Sequence, residues 1–185
     1  MARTETRFDS IYEAHHQQIL VYCLRRVSPE EAHAATNEVF EVAWRRSRDV
    51  PDGEATLPWL YGVARRVLAH QKRSAARFAR LTTRAAGYAR PYQHEPDQVV
   101  VQRHEYEMVC GAVNRLSPND REMLLLSAWE GLTHAQIAKT MNLSLAAVDK
   151  RLARAKKRLK RQYDAVYATD NRRPPANTAR GGEGA

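Results

Sequence analysis

The sequence predicts an all-α protein: two small helical domains joined by a flexible linker, the C-terminal one carrying a helix-turn-helix. Three observations predict it. Wherever apolar residues show a period it is the helical one, and no alternating strand pattern of convincing length occurs. Ser28–Pro29 and Ser117–Pro118 read as helix starts, each a capping serine followed by a proline at the first helical position. Gly131–Arg161 reads as two short helices joined by a tight turn, the second running on into a basic tail.

Residues 1–7 read as a frayed end. Phe8, Ile11, Tyr12, Ile19 and the stretch Tyr22–Val27 give an apolar face, which predicts a first helix from about Phe8 to Val27. Ser28, Pro29 and Glu31 supply the N-cap, N1 and N3 positions of a second, running to about Ser47, with Val39, Phe40, Val42, Ala43 and Trp44 apolar. Asp49–Ala55 is a loop, broken by Pro51 and Gly53. Thr56–Leu57–Pro58 opens a third helix, apolar at Trp59, Leu60, Val63, Ala64, Val67 and Leu68, which continues into a basic run to about Arg80.

From Thr82 to about Gln98 the pattern weakens around Gly87, Pro91 and Pro96, as in an interdomain linker. Helix resumes near Val99, with Tyr106, Val109, Val113 and Leu116 apolar. A leucine-rich helix over Glu122–Trp129 follows Ser117–Pro118 and is closed by Gly131. Thr133 and Gln136 stand at capping-box spacing ahead of Ala135, Ile137, Ala138 and Met141. Asn142 is the expected pivot, since Asn tolerates the left-handed conformation. Ser144 caps the next helix. There Val148, Leu152, Ala155 and Leu159 form one stripe, and Lys150, Arg154, Lys157 and Arg161 repeat the spacing on another face. A helix docked on DNA needs both stripes; a solvated basic helix would show them too. After Tyr167 the composition turns to Asn, Arg, Pro and Gly, which predicts disorder.

The chain has 185 residues, enough for one domain or two small ones, and its 43% hydrophobic content suffices for a core. The formal net charge is +9, unevenly spread. Gly62–Arg90 holds eight Lys/Arg and no acid, and Leu145–Tyr163 holds eight against one Asp. Two separate contacts with a polyanion are implied. No apolar run approaches the roughly 18–20 residues of a membrane span, and no signal-peptide core stands at the N-terminus, so a cytoplasmic protein is expected. Cys23 and Cys110 lie in apolar helical patterns and read as buried free thiols, with neither zinc nor disulfide spacing. His15 and His16 are adjacent and diverge on a helix, so no metal site is expected.

The segments FDSIYEAHHQQILVYCLRR (Phe8–Arg26), NEVFEVAWRR (Asn37–Arg46), LPWLYGVARRVLAHQKR (Leu57–Arg73), LSPNDREMLLLSAWEGLTHAQIAKTMNLS (Leu116–Ser144) and VDKRLARAKKRL (Val148–Leu159) resemble, in this order, bacterial RNA polymerase sigma factors of the sigma-70 superfamily, specifically the two-domain extracytoplasmic-function (ECF) group. The last segment by itself also resembles the C-terminal domain of two-component response regulators. The resemblance covers about 8–78 and 105–163. It divides the chain into 5–78 (region 2, binding core polymerase and the –10 element), a linker over 79–104, 105–166 (region 4, the helix-turn-helix that binds the –35 element) and a tail over 167–185.

The resemblance further implies a protein without catalytic residues or cofactor. It directs promoter-specific initiation by binding the clamp and flap elements of polymerase core and both duplex and melted promoter DNA, and an anti-sigma partner usually restrains such proteins. Polymerase contacts fall on Thr36, Asn37, Glu38, Phe40, Trp44 and Arg45; Phe40 and Trp44 are equally readable as core. An Asp–Leu pair common in the family is replaced here by Ala34–Ala35, and a common Gln by Asn37. The third helix corresponds to the –10 reader: Arg65, Arg66, Lys72 and Arg73 supply charge, and Trp59 and Tyr61 aromatic surface for stacking, unless Trp59 anchors the core. The Asp49–Ala55 loop matches the place where the family captures a flipped base. The –35 contacts correspond to Ser144, Asp149, Lys150, Arg151, Ala153 and Arg154. Asp149 stands where Lys or Arg is common. Either it accepts from cytosine N4 and shifts promoter preference, or it is a first-turn acid favoured by the helix dipole.

Two other classes compete. A stand-alone regulator would use the same helix-turn-helix, with the N-terminal half as a sensing or dimerisation module. That module would need neither the basic third helix nor Asn37–Arg46. A nucleic-acid enzyme would need clustered carboxylates, a Gly-rich phosphate loop or a nucleophile–base pair, and the sequence offers none beyond chance.

Overall fold

A computed structural model of the chain describes residues 2–82 and 109–170. Among them are α1 (Ala2–Leu24), α2 (Pro29–Arg45), a single 3-10 turn (Gly53–Ala55) and α3 (Thr56–Thr82). A helical segment over 109–114, here α4, precedes α5 (Pro118–Ala128), α6 (His134–Met141) and α7 (Leu145–Asp170). No strand occurs among the described residues. The expected helix start near Val99, Tyr106 and most of the expected linker and tail lie outside them.

Local chemistry explains where the helices begin and end. Ser28 caps α2 in a full capping box, its backbone N–H donating to the Glu31 carboxylate at 3.0 Å and its hydroxyl accepting from Glu31 N–H at 3.4 Å. Thr133 and Gln136 do the same for α6. Ser117 accepts from Asp120 N–H at 3.2 Å, and Pro118 follows it. Gly131 takes φ +66°, which only glycine adopts without a steric penalty. Asn142 sits in the left-handed region at φ 53°, ψ 55°, the pivot the sequence predicts.

Two expectations are corrected. The expected frayed end is helical over residues 2–7: α1 begins at Ala2, and Arg7 ties it down. The Arg7 guanidinium donates to the carbonyls of Ser47 and Val50, both at 2.6 Å, and to Asp52 at 2.7 Å. It thereby closes the loop after α2 onto α1. At the other end α7 continues past Tyr167 to Asp170.

Helices α1, α2 and α3 pack on one another, and α5, α6 and α7 form the second group. The groups are not separate in packing, because α3 lies against α6 and one apolar cluster runs through both. Ile19, Tyr22, Val39, Leu60 and Val63 fill it from the first half; Met123, Leu126, Ile137, Val148 and Leu152 fill it from the second. Each such side chain contributes on the order of 1.5–3 kcal/mol by leaving water. Thr140, on α6, donates its hydroxyl to the Pro58 carbonyl of α3 at 3.0 Å. Gly62 faces the same point: a β-carbon there would stand 3.3 Å from the Thr140 carbonyl oxygen. A larger residue would wedge the helices apart. Ala135, expected on the apolar side of α6, is exposed, while Ile137, Ala138 and Met141 are buried.

A buried ionic cluster joins the halves. Arg26 donates to both oxygens of Glu122, at 3.0 and 3.2 Å, and to Glu130 at 3.2 Å. Arg25 donates to the other Glu130 oxygen at 3.0 Å, and the Tyr22 hydroxyl donates to Glu122 at 2.7 Å. The Arg26 side chain is 9% exposed and that of Glu130 3%. Burial alone would pull the Arg26 guanidinium down, but Tyr22, Glu122 and Glu130 outweigh it and hold the charge in place. Arg26 also stacks over the Tyr22 ring at 3.5 Å, and Arg25 over Trp129 at 5.3 Å. Burial, then the Glu122 charge, pushes the Tyr22 phenol up, so it stays a donor.

Candidate nucleic-acid interface

The helix-turn-helix is built by the turn at Asn142. Its left-handed backbone redirects the chain, and the Leu143 N–H reaches back to the Ala138 carbonyl at 2.9 Å. Ser144 caps α7 by accepting from Ala147 N–H at 3.2 Å, which gives that predicted contact residue a structural task. Val148, Leu152 and Ala155 are buried beneath α7, and Leu159 is half-buried. The opposite face is open. Asp149, Lys150, Ala153 and Arg154 are exposed there, and Arg151 is half-buried. Lys156, Lys157, Lys160 and Arg161 extend the charge along the helix, while Arg158 is held by Asp120 at 2.9 Å. An exposed row of cations on a well-anchored helix attracts the phosphate backbone.

The second basic element is α3. Arg66, Lys72 and Arg73 are exposed on it, whereas Arg65 is half-buried and donates to Asn119 of α5 at 3.1 Å. Trp59 is half-buried and packs on the core. Tyr61 is 3% exposed, enclosed at the joint with its ring 5.0 Å from that of Tyr22. Burial, then the nearby Glu130 charge, pushes its phenol up to about 12. In this arrangement Tyr61 offers no ring face for a base.

The predicted polymerase contacts divide in the same way. Thr36 is buried, with its hydroxyl on the Ala32 carbonyl at 2.8 Å, and Phe40 is buried too. Glu38 is half-buried and accepts from Gln71 of α3 at 3.0 Å. Asn37, Trp44 and Arg45 face outward, Arg45 in an ion pair with Glu41. Trp44 is 45% exposed. Its ring meets Phe8 edge-on at 5.0 Å, and Tyr12, also exposed, meets Phe40 at 4.8 Å. A patch of aromatic rings thus lies open across α1 and α2.

Among the described residues no group of His, Cys, Asp or Glu could hold a metal, and no helix is long and apolar enough to cross a membrane. Cys23 is a buried free thiol, as expected; Cys110 is half-buried and not disulfide-bonded. Burial pushes Cys23 up to about 11. Sequence reasoning missed the joint altogether. Arg25, Arg26, Glu122 and Glu130 look like ordinary surface charges in the sequence, and their pairing spans about a hundred positions of chain (separations of 96 to 105). It also missed His134, whose ring meets Asp149 at 2.5 Å.

Two groups of helices share one apolar core, and the second ends in a basic helix-turn-helix. Residues 108–159 match the family described as sigma-70, region 4. In sequence the chain is similar to ECF sigma factors. It is 26% identical over 127 residues to the ECF RNA polymerase sigma factor SigK of Mycobacterium sp. strain KMS, covering 67% of this chain and 65% of that one. The chain thus matches slightly less than two thirds of that relative's length. To the ECF sigma factor SigL of Mycobacterium tuberculosis strain Erdman it is 26% identical over 145 residues, 77% of this chain and 81% of SigL. In fold it is similar to the sigma factor RpoE of Bartonella quintana, solved with the anti-sigma factor NepR (TM-score 0.62, 18% identity, 85% of this chain and 97% of that one). It is similar also to CnrH, solved with the cytosolic domain of CnrY (TM-score 0.57, 21% identity, 87% and 90%).

Proposed function

We propose that this chain is a promoter-selecting subunit of RNA polymerase that works beside the enzyme in the cytoplasm. Residues 5–78 would bind core polymerase and the –10 element and 105–166 the –35 element, joined by 79–104, with 167–185 as a tail. The observation that carries the reading is the two-faced α7, apolar and anchored at Val148, Leu152 and Ala155, and open at Asp149, Lys150, Ala153 and Arg154. A helix so built enters the major groove with its side chains on base edges. The exposed cations Arg66, Lys72 and Arg73 of α3 would hold the opened strand, by the charge that single-strand grooves use. Tyr61 joins them only when the halves part.

Polymerase would dock on the open aromatic patch around Trp44, with Asn37 and Arg45 beside it. Exposed aromatic rings in a cluster are what a protein interface uses as anchors. Thr36 and Phe40 support that surface from beneath. That RpoE of Bartonella quintana was solved with the anti-sigma factor NepR supports such a partner for this chain as well. The test is co-purification of the full chain with core polymerase, followed by run-off transcription from a promoter library. The expected result is specific starts from a subset of templates, lost in Trp44→Ala. Core that neither binds the chain nor starts specifically with it overturns the reading, and duplex binding without core would favour a stand-alone regulator.

A further inference from the structure

Asp149 is the first of three acids in α7, a helix that carries eight Lys/Arg, and its position weakens one ordinary explanation. Leu145 is the first residue of α7, so Asp149 lies beyond the first turn, which contains no acidic residue. Its own N–H is past the free donors of the helix end, and Ser144 already serves as the cap. A carboxylate there, 53% exposed on the face that would meet DNA, repels phosphate unless it has a more specific task.

His134 supplies the clue to that task. It is the first residue of α6, and the capping there is done by Thr133 and Gln136, leaving the imidazole free of it. Its Nδ1 stands 2.5 Å from Asp149 Oδ1. A carboxylate only accepts, so Nδ1 carries the proton and donates. One carboxylate oxygen is thereby engaged, and the rotation of the Asp149 side chain is fixed relative to the open face of α7. Oδ2 has no bond to another described residue.

On the reading of α7 as a major-groove helix, we propose that His134 is a positioning residue that aims the Asp149 carboxylate at an amino group on a base edge, that of cytosine N4. The aimed carboxylate accepts from that amino group and rejects guanine O6 and thymine O4, which present acceptors in the same groove. The two helices of the motif then share one specificity element: α7 carries the acceptor and α6 sets its direction.

The test is selection of sequences by the full-length chain from a duplex pool with a randomised window, repeated for four variants. Wild type should enrich cytosine at one position, and Asp149→Ala should lose that preference by about tenfold. His134→Ala should lose most of it, and adding His134→Ala to Asp149→Ala should change nothing further. His134→Asn, whose amide N–H falls near the place of Nδ1, should restore it. A uniform loss of affinity in His134→Ala with the base preference intact means that His134 only touches phosphate and overturns the proposal. Unchanged preference in Asp149→Ala overturns it as well. A wild-type chain that selects no sequence overturns the major-groove reading itself, a result distinct from either. Both side chains are about half exposed, so the variants keep the fold, and melting curves check this.

Discussion

Replacing Arg26 by alanine removes the guanidinium that holds Glu122 and Glu130 at the joint between the halves. Arg26 makes three charge-assisted bonds across that joint, two to Glu122 and one to Glu130, with side-chain exposures of 9%, 14% and 3% for Arg26, Glu122 and Glu130. Removing one partner of a buried pair typically costs about 3–5 kcal/mol, because the partner left behind stays out of water without its counter-charge. Here Glu122 keeps the Tyr22 hydroxyl and Glu130 keeps Arg25, so the lower end applies, about 3 kcal/mol. That is roughly a 150-fold change in the equilibrium between docked and parted halves. Small-angle scattering of the full chain should show a larger radius of gyration in Arg26→Ala, while circular dichroism shows little lost helix. Glu122→Gln combined with Arg26→Ala should cost less than the sum of the two single changes. A variant that melts within about 0.5 kcal/mol of wild type and scatters identically would refute the claim that this cluster holds the halves together.

Alkali should weaken the fold in a defined window. Burial raises Cys23 from its usual 9.0 to about 11, so above pH 9 the unfolded chain releases a proton that the folded chain keeps. Stability present below pH 9 is then lost as the pH rises towards 11, by on the order of 2 kcal/mol, and denaturant melts of wild type against Cys23→Ala measure it. At Asn142, glycine should be tolerated or slightly stabilising. Valine should cost about 1–2 kcal/mol, because a β-branched residue resists the left-handed backbone; thermal melting decides. Lys150→Ala and Arg154→Ala should each lower the slope of log affinity against log salt by about one for duplex binding, and an unchanged slope would remove that residue from the phosphate contacts.

What was legible in the sequence was local. Capping boxes at Ser28–Glu31 and Thr133–Gln136, the Asn142 pivot and the apolar stripe of α7 follow from residues within a few positions of one another, where backbone chemistry leaves few options. What was hidden depends on distant partners. Arg7 looks like part of a frayed end until Ser47, Val50 and Asp52 are brought to it. Tyr61 on a basic helix looks like a stacking surface, but it is buried, with the Tyr22 ring on one side and Glu130 of the second half nearby. Thr140 interrupts an apolar stripe for no local reason; its hydroxyl donates to the Pro58 carbonyl of α3, 82 positions away in the sequence. Asp149 had two readings in the sequence, and its place beyond the first turn of α7 weakens the dipole account.

The enclosure of Tyr61 has a thermodynamic corollary. Any ligand that needs this ring binds only the fraction of molecules whose halves have separated, so its apparent dissociation constant is the intrinsic one divided by that fraction. An ionic joint worth a few kcal/mol would then mask the true affinity by about two orders of magnitude. Substitutions at Arg26 or Glu130 would tighten such a ligand without touching it. The joint is therefore a setting on the strength of binding elsewhere, written in residues that contact none of it.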